Sequence, residues 1–389
     1  MMINRFILMA LFYVLVIPQV VALEVDREVL PRITVGGRVI GTLDVNNMDS
    51  LPERENEINI RDSLLLLRFD KRLFKDGVAG GVIGFEENED TVQFHKFYAF
   101  MWNRDFQIVL GRTLLPNTLI NFPTPHDADL LRYTHVGNGS SNTEFDQLHA
   151  RLLSFDWYVD RKIQRLNIWT GMRGEDTNIA APTGFDSYGL GYQYEQPAEL
   201  RYVKWLRHAG VLVDAQKLTI GIRDEWMDAI ILGAEFNLNL NPQANWSMAI
   251  QTIFNEGIDS ITAADLNDSV NAVANQSRAK STSVVAGWRY TSRPNLLTRW
   301  QASISLGYKD YSDVSSASHW SVIPAYVYRV GLGVDLLAEL IHTQYDNALY
   351  NGGEDNIIQL GIAFNLDARF NDNIGERSSI LNLEHGYIQ

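Results

Sequence analysis

Three arginines and two aspartates are placed where they could act together on a charged or dipolar solute. The arginines occupy even-numbered positions of two alternating segments, so they project from one side of an extended chain: Arg38, Arg68 and Arg72. The aspartates, Asp127 and Asp129, belong to a long irregular segment, residues 113–146. Guanidinium keeps its charge at any working pH, and opposed fixed charges orient dipoles and screen ions. We predict that the two sets face each other across the narrowest part of an enclosed space; the alternative is that both are simply solvated.

Other charges are less specific. Several residues on later segments have the parity of a shared inner face, with mixed signs: Arg289, Arg299, Lys309, Asp335 and Glu339. Asp265 and Asp268 could bind a divalent cation through carboxylate oxygens, but they show no fixed ligand spacing. Solvated loop charge is the favoured interpretation there, and we expect no metal site.

Catalytic chemistry finds little support in the sequence. A hydrolase needs a histidine beside a nucleophile or a carboxylate partner, whereas His95, His149 and the pair His126-Asp127 are isolated. The chain has no cysteine, which removes thiolate metal sites and thiol nucleophiles. No Gly-rich phosphate motif is evident. We therefore expect neither enzyme activity nor a cofactor.

The segments that must position these charges alternate with period two, as β-strands do. Between residues 299 and 309, Trp300, Ile304 and Tyr308 fall on one face and polar residues on the other. Trp300 and Tyr308 are about 26 Å apart along a strand, close to the height of the apolar band that aromatic girdles flank in a membrane barrel. The same reasoning gives three further girdle candidates: Trp246, Phe254 and Phe364.

A soluble β-sandwich or β-solenoid would also contain alternating strands. The strands here are long, about 10–14 residues against the usual 5–6, and their large residues sit at both ends of the apolar stripe. No fixed-period repeat is present, which argues against a solenoid. The fold class predicted is therefore all-β, a closed antiparallel transmembrane barrel, since only closure pairs every backbone group of a membrane strand.

Loop lengths allow the strands to be counted. Barrels of this kind alternate short turns with long loops, and the pattern is self-consistent with 16 strands, the first at about 33–45 paired with the last at about 356–366. Residues 212–226 alternate, but a further spanning strand there would put long loops on the short-turn side. They are therefore predicted to be part of an external loop or a strand extension between strands at about 199–211 and 228–240. Eighteen strands is the alternative.

The first residues are typical of a secretory signal peptide. Arg5 supplies positive charge, residues 6–17 are apolar, Pro18 ends the apolar run, and residues 20–22 form a V-x-A cleavage site. A membrane-spanning anchor would need about 20 apolar residues. The net charge of the whole chain is −14, which makes nucleic acid an unsuitable partner.

At this point the chain resembles the Gram-negative trimeric porins, over nearly the whole predicted mature chain and as architecture more than as a sharp motif. The stretch Ile108–Thr113 looks like the porin strand that enters the third external loop, and residues 113–146 stand where that loop folds into the lumen. Residues 121–127 lack the Pro-Glu-Phe-Gly-type sequence of the enterobacterial general porins. Phe370 has the parity of the terminal aromatic residue of porins, but 19 residues follow it.

The resemblance implies an organisation and a function. The expected parts are a signal peptide (1–22), a barrel (23–370) and a periplasmic tail (371–389). The barrel would be a water-filled outer-membrane channel for passive diffusion of small polar or charged solutes, narrowed by residues 113–146. The implied partners are outer-membrane lipid, lipopolysaccharide, small hydrophilic solutes and two further copies in a homotrimer. The alternatives are a plugged barrel acting as adhesin or scaffold, and a barrel enzyme.

Overall fold

A computed structural model of the chain describes most of the predicted barrel. The described residues are 31–49, 56–74, 77–88, 91–114, 149–159, 164–173, 187–195, 205–220, 223–241, 244–256, 280–292, 299–311, 318–331, 333–346 and 352–370. The predicted signal peptide (1–22), most of the predicted constriction segment (113–146) and the predicted tail (371–389) lie outside the described residues.

The described residues form sixteen β-strands in one closed barrel. In chain order they are β1 Arg32–Met48, β2 Glu57–Phe74, β3 Gly77–Asn88, β4 Thr91–Trp102, β5 Phe106–Leu114, β6 His149–Val159, β7 Gln164–Arg173, β8 Ser187–Glu195, β9 Leu206–Ile220, β10 Arg223–Asn241, β11 Ala244–Glu256, β12 Lys280–Ser292, β13 Arg299–Tyr311, β14 Ser318–Gly331, β15 Val334–Tyr345 and β16 Glu354–Phe370.

Each strand pairs antiparallel with its neighbours in sequence, and β1 closes the barrel against β16. The closing register runs from Ile33 opposite Phe370 to Met48 opposite Asp355. Both the all-β barrel and the pairing of its first and last strands were predicted, and both are confirmed. Phe370 is the last residue of β16, at the place where its parity put it.

The two ends of the barrel differ in the lengths of the connections they carry, although the difference is not strict. One end, here called the short-turn end, carries brief links such as 75–76, 103–105 and 242–243. The opposite end, the long-connection end, carries the longest links, 115–148 and 257–279. The two-residue links 89–90 and 221–222 also lie at the long-connection end, so loop length alone does not fix the strand count. The closed barrel of the described residues contains sixteen strands, as predicted, and not eighteen.

The hairpin of β9 and β10 differs in detail from the prediction. β9 begins at Leu206, not near residue 199, and it continues to Ile220, while β10 begins at Arg223. The ambiguous residues 212–226 are therefore strand extensions, one of the two possibilities that loop parity left open. The extended pairing, Ile220 opposite Arg223 at its tip, satisfies backbone groups that a loop would leave to water.

The barrel is apolar outside and polar inside. Outward-facing Leu232 and Ile250 are 45% and 41% exposed, whereas inward-facing Arg38, Lys309 and Gln251 are 1%, 0% and 0% exposed. A soluble protein has the opposite arrangement, with long charged side chains in water. Lipid is the solvent that suits such a surface. No helix among the described residues is long and apolar enough to cross a membrane.

Candidate functional site

The candidate site is the inner wall, since the pleat of each strand sends alternate side chains into the lumen. One cluster of buried charges lies on β1 and β2. Arg32 stands directly opposite Asp70 in the register, and its guanidinium donates two hydrogen bonds to the carboxylate, at 2.8 and 2.5 Å. Arg68 approaches the same carboxylate, with Nε 2.6 Å from Oδ2, and its guanidinium carbon lies 4.9 Å from the ring centre of Phe100. Asp70 is thus a shared counter-charge for two buried arginines.

The three arginines predicted from sequence share the inner face of the barrel but lie at different heights along it. Arg38 and Arg68 are buried, and Arg72 is exposed near the short-turn end of β2. Arg38 pairs with Leu64, so it stands eight positions above Arg72, about 26 Å along the strand. The three cannot therefore all line one narrow point. Asp127 and Asp129 lie outside the described residues, so their opposition to the arginines stays a prediction.

Sequence reasoning missed the partner that the structure supplies. Asp70 has the same parity as Arg68 and Arg72, and Arg32 the same parity as Arg38. Extending β1 by one residue and comparing signs within β2 would have found the pair. The other inward candidates agree in parity: Lys309, Asp335 and Glu339 are buried in the wall and Arg289 is half-buried, while the side chain of Arg299 is not described.

A second part of the wall, on β6 to β8, is a polar network. The side-chain amide of Asn167 donates to Asp156 at 2.7 Å and to Ser154 at 3.0 Å. Arg165 donates to Gln193 at 2.9 Å and lies 3.5 Å from Asp156. β6 and β7 contribute two members each and β8 contributes one, so the network depends on barrel register as much as on composition.

The wall of β14 to β16 has a different character. Arg329 donates to both oxygens of Asp335, at 2.7 and 2.9 Å, and the Tyr345 hydroxyl donates to Asp355 at 2.8 Å. Between these two pairs, Glu339 stands opposite Gln359. Glu339 Oε2 and both amide atoms of Gln359 are buried and have no hydrogen-bond partner among the described residues.

The predicted girdle residues all face outward. Trp246, Tyr290, Trp300 and Tyr326 form a continuous row across β11 to β14, with ring centres 4.9, 5.1 and 6.2 Å apart. The row lies towards the short-turn end, and so does Phe364. Phe254 and Tyr308 lie towards the other end, both 45% exposed. Their role at the membrane interfaces stays a prediction.

The described residues offer little for metal or covalent chemistry. They contain no group of three or more potential ligand side chains that could hold a metal ion. His126 and the side chains of His95 and His149 are outside the described set. What the wall can do chemically is present fixed charge, hydrogen-bonding groups and apolar surface to a solute.

Comparison with known proteins supports the fold. No family model and no curated protein matches the sequence. Among solved structures, the outer-membrane channel DcaP of Acinetobacter baumannii is 13% identical over 86% of this chain and 97% of its own, with a TM-score of 0.60. An anion-selective porin from Comamonas acidovorans is 14% identical over 86% and 99%, with a TM-score of 0.57.

A trimer form of OmpT, an outer-membrane protein of Vibrio cholerae, is 11% identical over 87% of this chain and 100% of its own, at a TM-score of 0.57. These neighbours and the closed barrel of sixteen strands give the class: the chain has a 16-stranded porin-like fold. The resemblance drawn from the sequence is confirmed at that level.

Proposed function

We propose that this protein is an outer-membrane porin, a water-filled channel for passive diffusion of small polar or charged solutes. The observation that carries the proposal is the distribution of side chains, with apolar residues on the outer surface of the barrel and charged residues on its inner wall. A barrel of sixteen strands encloses a lumen that is too wide for side chains alone to fill, whereas side chains fill the interior of an eight-stranded barrel. Two of the structural neighbours are a channel and a porin by their own descriptions.

The finer features of this proposal follow from the sequence. Residues 113–146 narrow the lumen, with Asp127 and Asp129 as the acidic side of the constriction. The chain is exported with cleavage after Ala22, contacts lipid and lipopolysaccharide, and assembles as a homotrimer. The trimer form of the OmpT neighbour supports the last point. The barrel has no enzyme activity and no cofactor in this proposal.

One observation favours a second candidate, a plugged barrel that serves as adhesin or scaffold. Inner-wall side chains as long as Lys96 and Lys309 are fully buried, whereas side chains that line open water keep some exposure. A barrel closed in its resting state would show this burial. The two candidates make opposite statements about ion flow.

Single-channel recording separates them. The purified full-length protein is added to a planar lipid bilayer in potassium chloride, and current is recorded at fixed voltage. A porin gives stable open steps, and reversal potentials under a salt gradient then give its ion preference. A plugged barrel inserts without open steps, which would overturn the channel proposal.

A further inference from the structure

We infer that the pair Glu339–Gln359 is a recognition point for an organic cation, a solute whose ammonium group is flanked by apolar carbon. The inference rests on the proposed channel function and names a solute class for it. Glu339 and Gln359 are directly opposed on β15 and β16, and both are almost completely buried on the inner wall.

The hydrogen-bonding capacity of this pair is unused. Glu339 Oε2, Gln359 Oε1 and Gln359 Nε2 are three buried polar atoms on adjacent strands, and within the described structure none of the three has a hydrogen-bond partner. Burying a carboxylate without a partner is costly, and nearby walls avoid it: Asp70, Asp156 and Asp335 are all paired. An incoming donor that is itself positive would satisfy the site.

The sign of the solute follows from the cross-strand row. Asp44 on β1 is opposite Gln359, and Glu57 on β2 is opposite Asp44. Neighbouring strands are about 4.8 Å apart, so Glu339 and Asp44 bracket Gln359 within about 10 Å. The row therefore carries three carboxylates over four strands.

The basic side chains of the described wall nearest to this row along the register stand further away. Arg289 shares the row but lies three strands from Glu339, beyond Ser303 and Ala325, or about 14 Å. Arg38 is six positions from Asp44 along β1, about 20 Å. Arg329 is engaged by Asp335. In the described register no lysine or arginine stands directly opposite Glu339 or Gln359, so the charge nearest to the two unsatisfied groups is the carboxylate of Glu339 itself.

Apolar groups border the pair on both sides. Towards the long-connection end lies one cluster, formed by Met48, Ile323, Ile341 and Ile357. Towards the short-turn end lies another, formed by Ile40, Val327, Leu337 and Ala363. Successive inward positions are about 6.6 Å apart, so a solute with its charge at Glu339 places carbon atoms against either cluster. A strongly hydrated metal ion gains nothing from such flanks.

Channel block by phenethylammonium tests the inference on the full-length protein in planar bilayers. Its neutral analogue 2-phenylethanol and its anionic counterpart phenylacetate control for shape. We expect phenethylammonium to block potassium current at a concentration at least about tenfold below either control, since hydrogen bonds to charged groups are the stronger ones. Glu339→Gln should raise that concentration about tenfold. Asp367→Asn, a charge-matched change at an exposed inward position, should leave it unchanged.

A second readout keeps this inference separate from the channel proposal. Thermal unfolding of the detergent-solubilised barrel is followed with each probe, because a ligand that binds only the folded state raises the unfolding temperature. Block or stabilisation that is equal in the parent and Glu339→Gln overturns the inference. Glu339-dependent stabilisation without any conductance keeps the binding site and overturns the channel. If neither readout depends on Glu339, the site is wrong whatever the conductance shows.

Discussion

Asp70 and Glu339 are both carboxylates on the inner wall, yet their surroundings are opposite. Asp70 receives a two-pronged hydrogen bond from Arg32 and an ion pair from Arg68. Glu339 faces an amide with unused atoms and two apolar clusters. A buried, inward-facing carboxylate can therefore have two different roles. A paired charge holds neighbouring strands together, whereas an unpaired charge is a cost that suits a site awaiting a ligand.

The largest effect is expected from removing the paired charge. Asp70→Asn takes away the carboxylate that two buried guanidinium groups share, and breaking a buried pair in this way costs about 3–5 kcal/mol. Urea unfolding of the refolded barrel, followed by tryptophan fluorescence, measures the free energy of unfolding. Asp367→Asn is the control at an exposed position. A loss as small as that of the control would show that the cluster does not secure β1 to β2.

The lipid-facing surface is a third environment for a charge, and the stability cost of a charge there can be compared with the effects at Asp70 and Glu339. Ile304 faces outward at the middle of β13, and Ile304→Arg should cost about 2–4 kcal/mol. Trp300→Arg and Tyr308→Arg, towards the two ends of that strand, should cost only about 0–1 kcal/mol, because the penalty falls towards the interfaces. The same unfolding assay in lipid bilayers applies. Equal losses at all three positions would place the membrane band elsewhere.

Removing the carboxylate of Glu339 should raise the free energy of unfolding, whereas removing that of Asp70 should lower it. Glu339→Leu replaces an unsatisfied polar group between Leu337 and Ile341 by an apolar one, so stability should rise by about 1–3 kcal/mol. Glu339→Gln removes the charge but keeps the shape of the side chain, and it should give a smaller gain in stability than Glu339→Leu. If Glu339→Leu is destabilising instead, the carboxylate has a structural partner and the contrast with Asp70 fails.

The sequence predicted the architecture better than the pairing of charges. Period-two alternation sets which side chains face lipid, and loop parity limits the strand count, so both were readable from residues such as Trp300 and Tyr308. The level of each residue within the barrel depends on inter-strand register, including shifts like the one between Ile40 and Gly41. That is why Arg38 and Arg72 shared a predicted face but lie at different heights along the barrel. Asp70 was missed for a different reason, because its parity was readable but β1 was begun one residue too late to include Arg32. The end of β9 was uncertain because alternation does not show where a strand leaves the membrane.

The smallest effects are expected in ion preference, and they test whether Arg38 and Arg72 face the acidic residues of the proposed constriction. Asp127→Asn with Asp129→Asn should shift the reversal potential towards anion preference, because negative charge leaves the proposed constriction. Arg38→Gln should shift it towards cations, more than Arg72→Gln does, since Arg72 is exposed near the short-turn end. Both shifts should shrink at 1 M salt, where the screening length is about 3 Å against about 10 Å at 0.1 M.

Unchanged reversal potentials in the aspartate variant at low salt, together with a shift in Arg38→Gln, would mean that the arginines act on permeating ions without residues 113–146 lining the lumen. Unchanged values in both would move ion preference to the remaining wall charges, of which Glu339 and Arg289 share one cross-strand row.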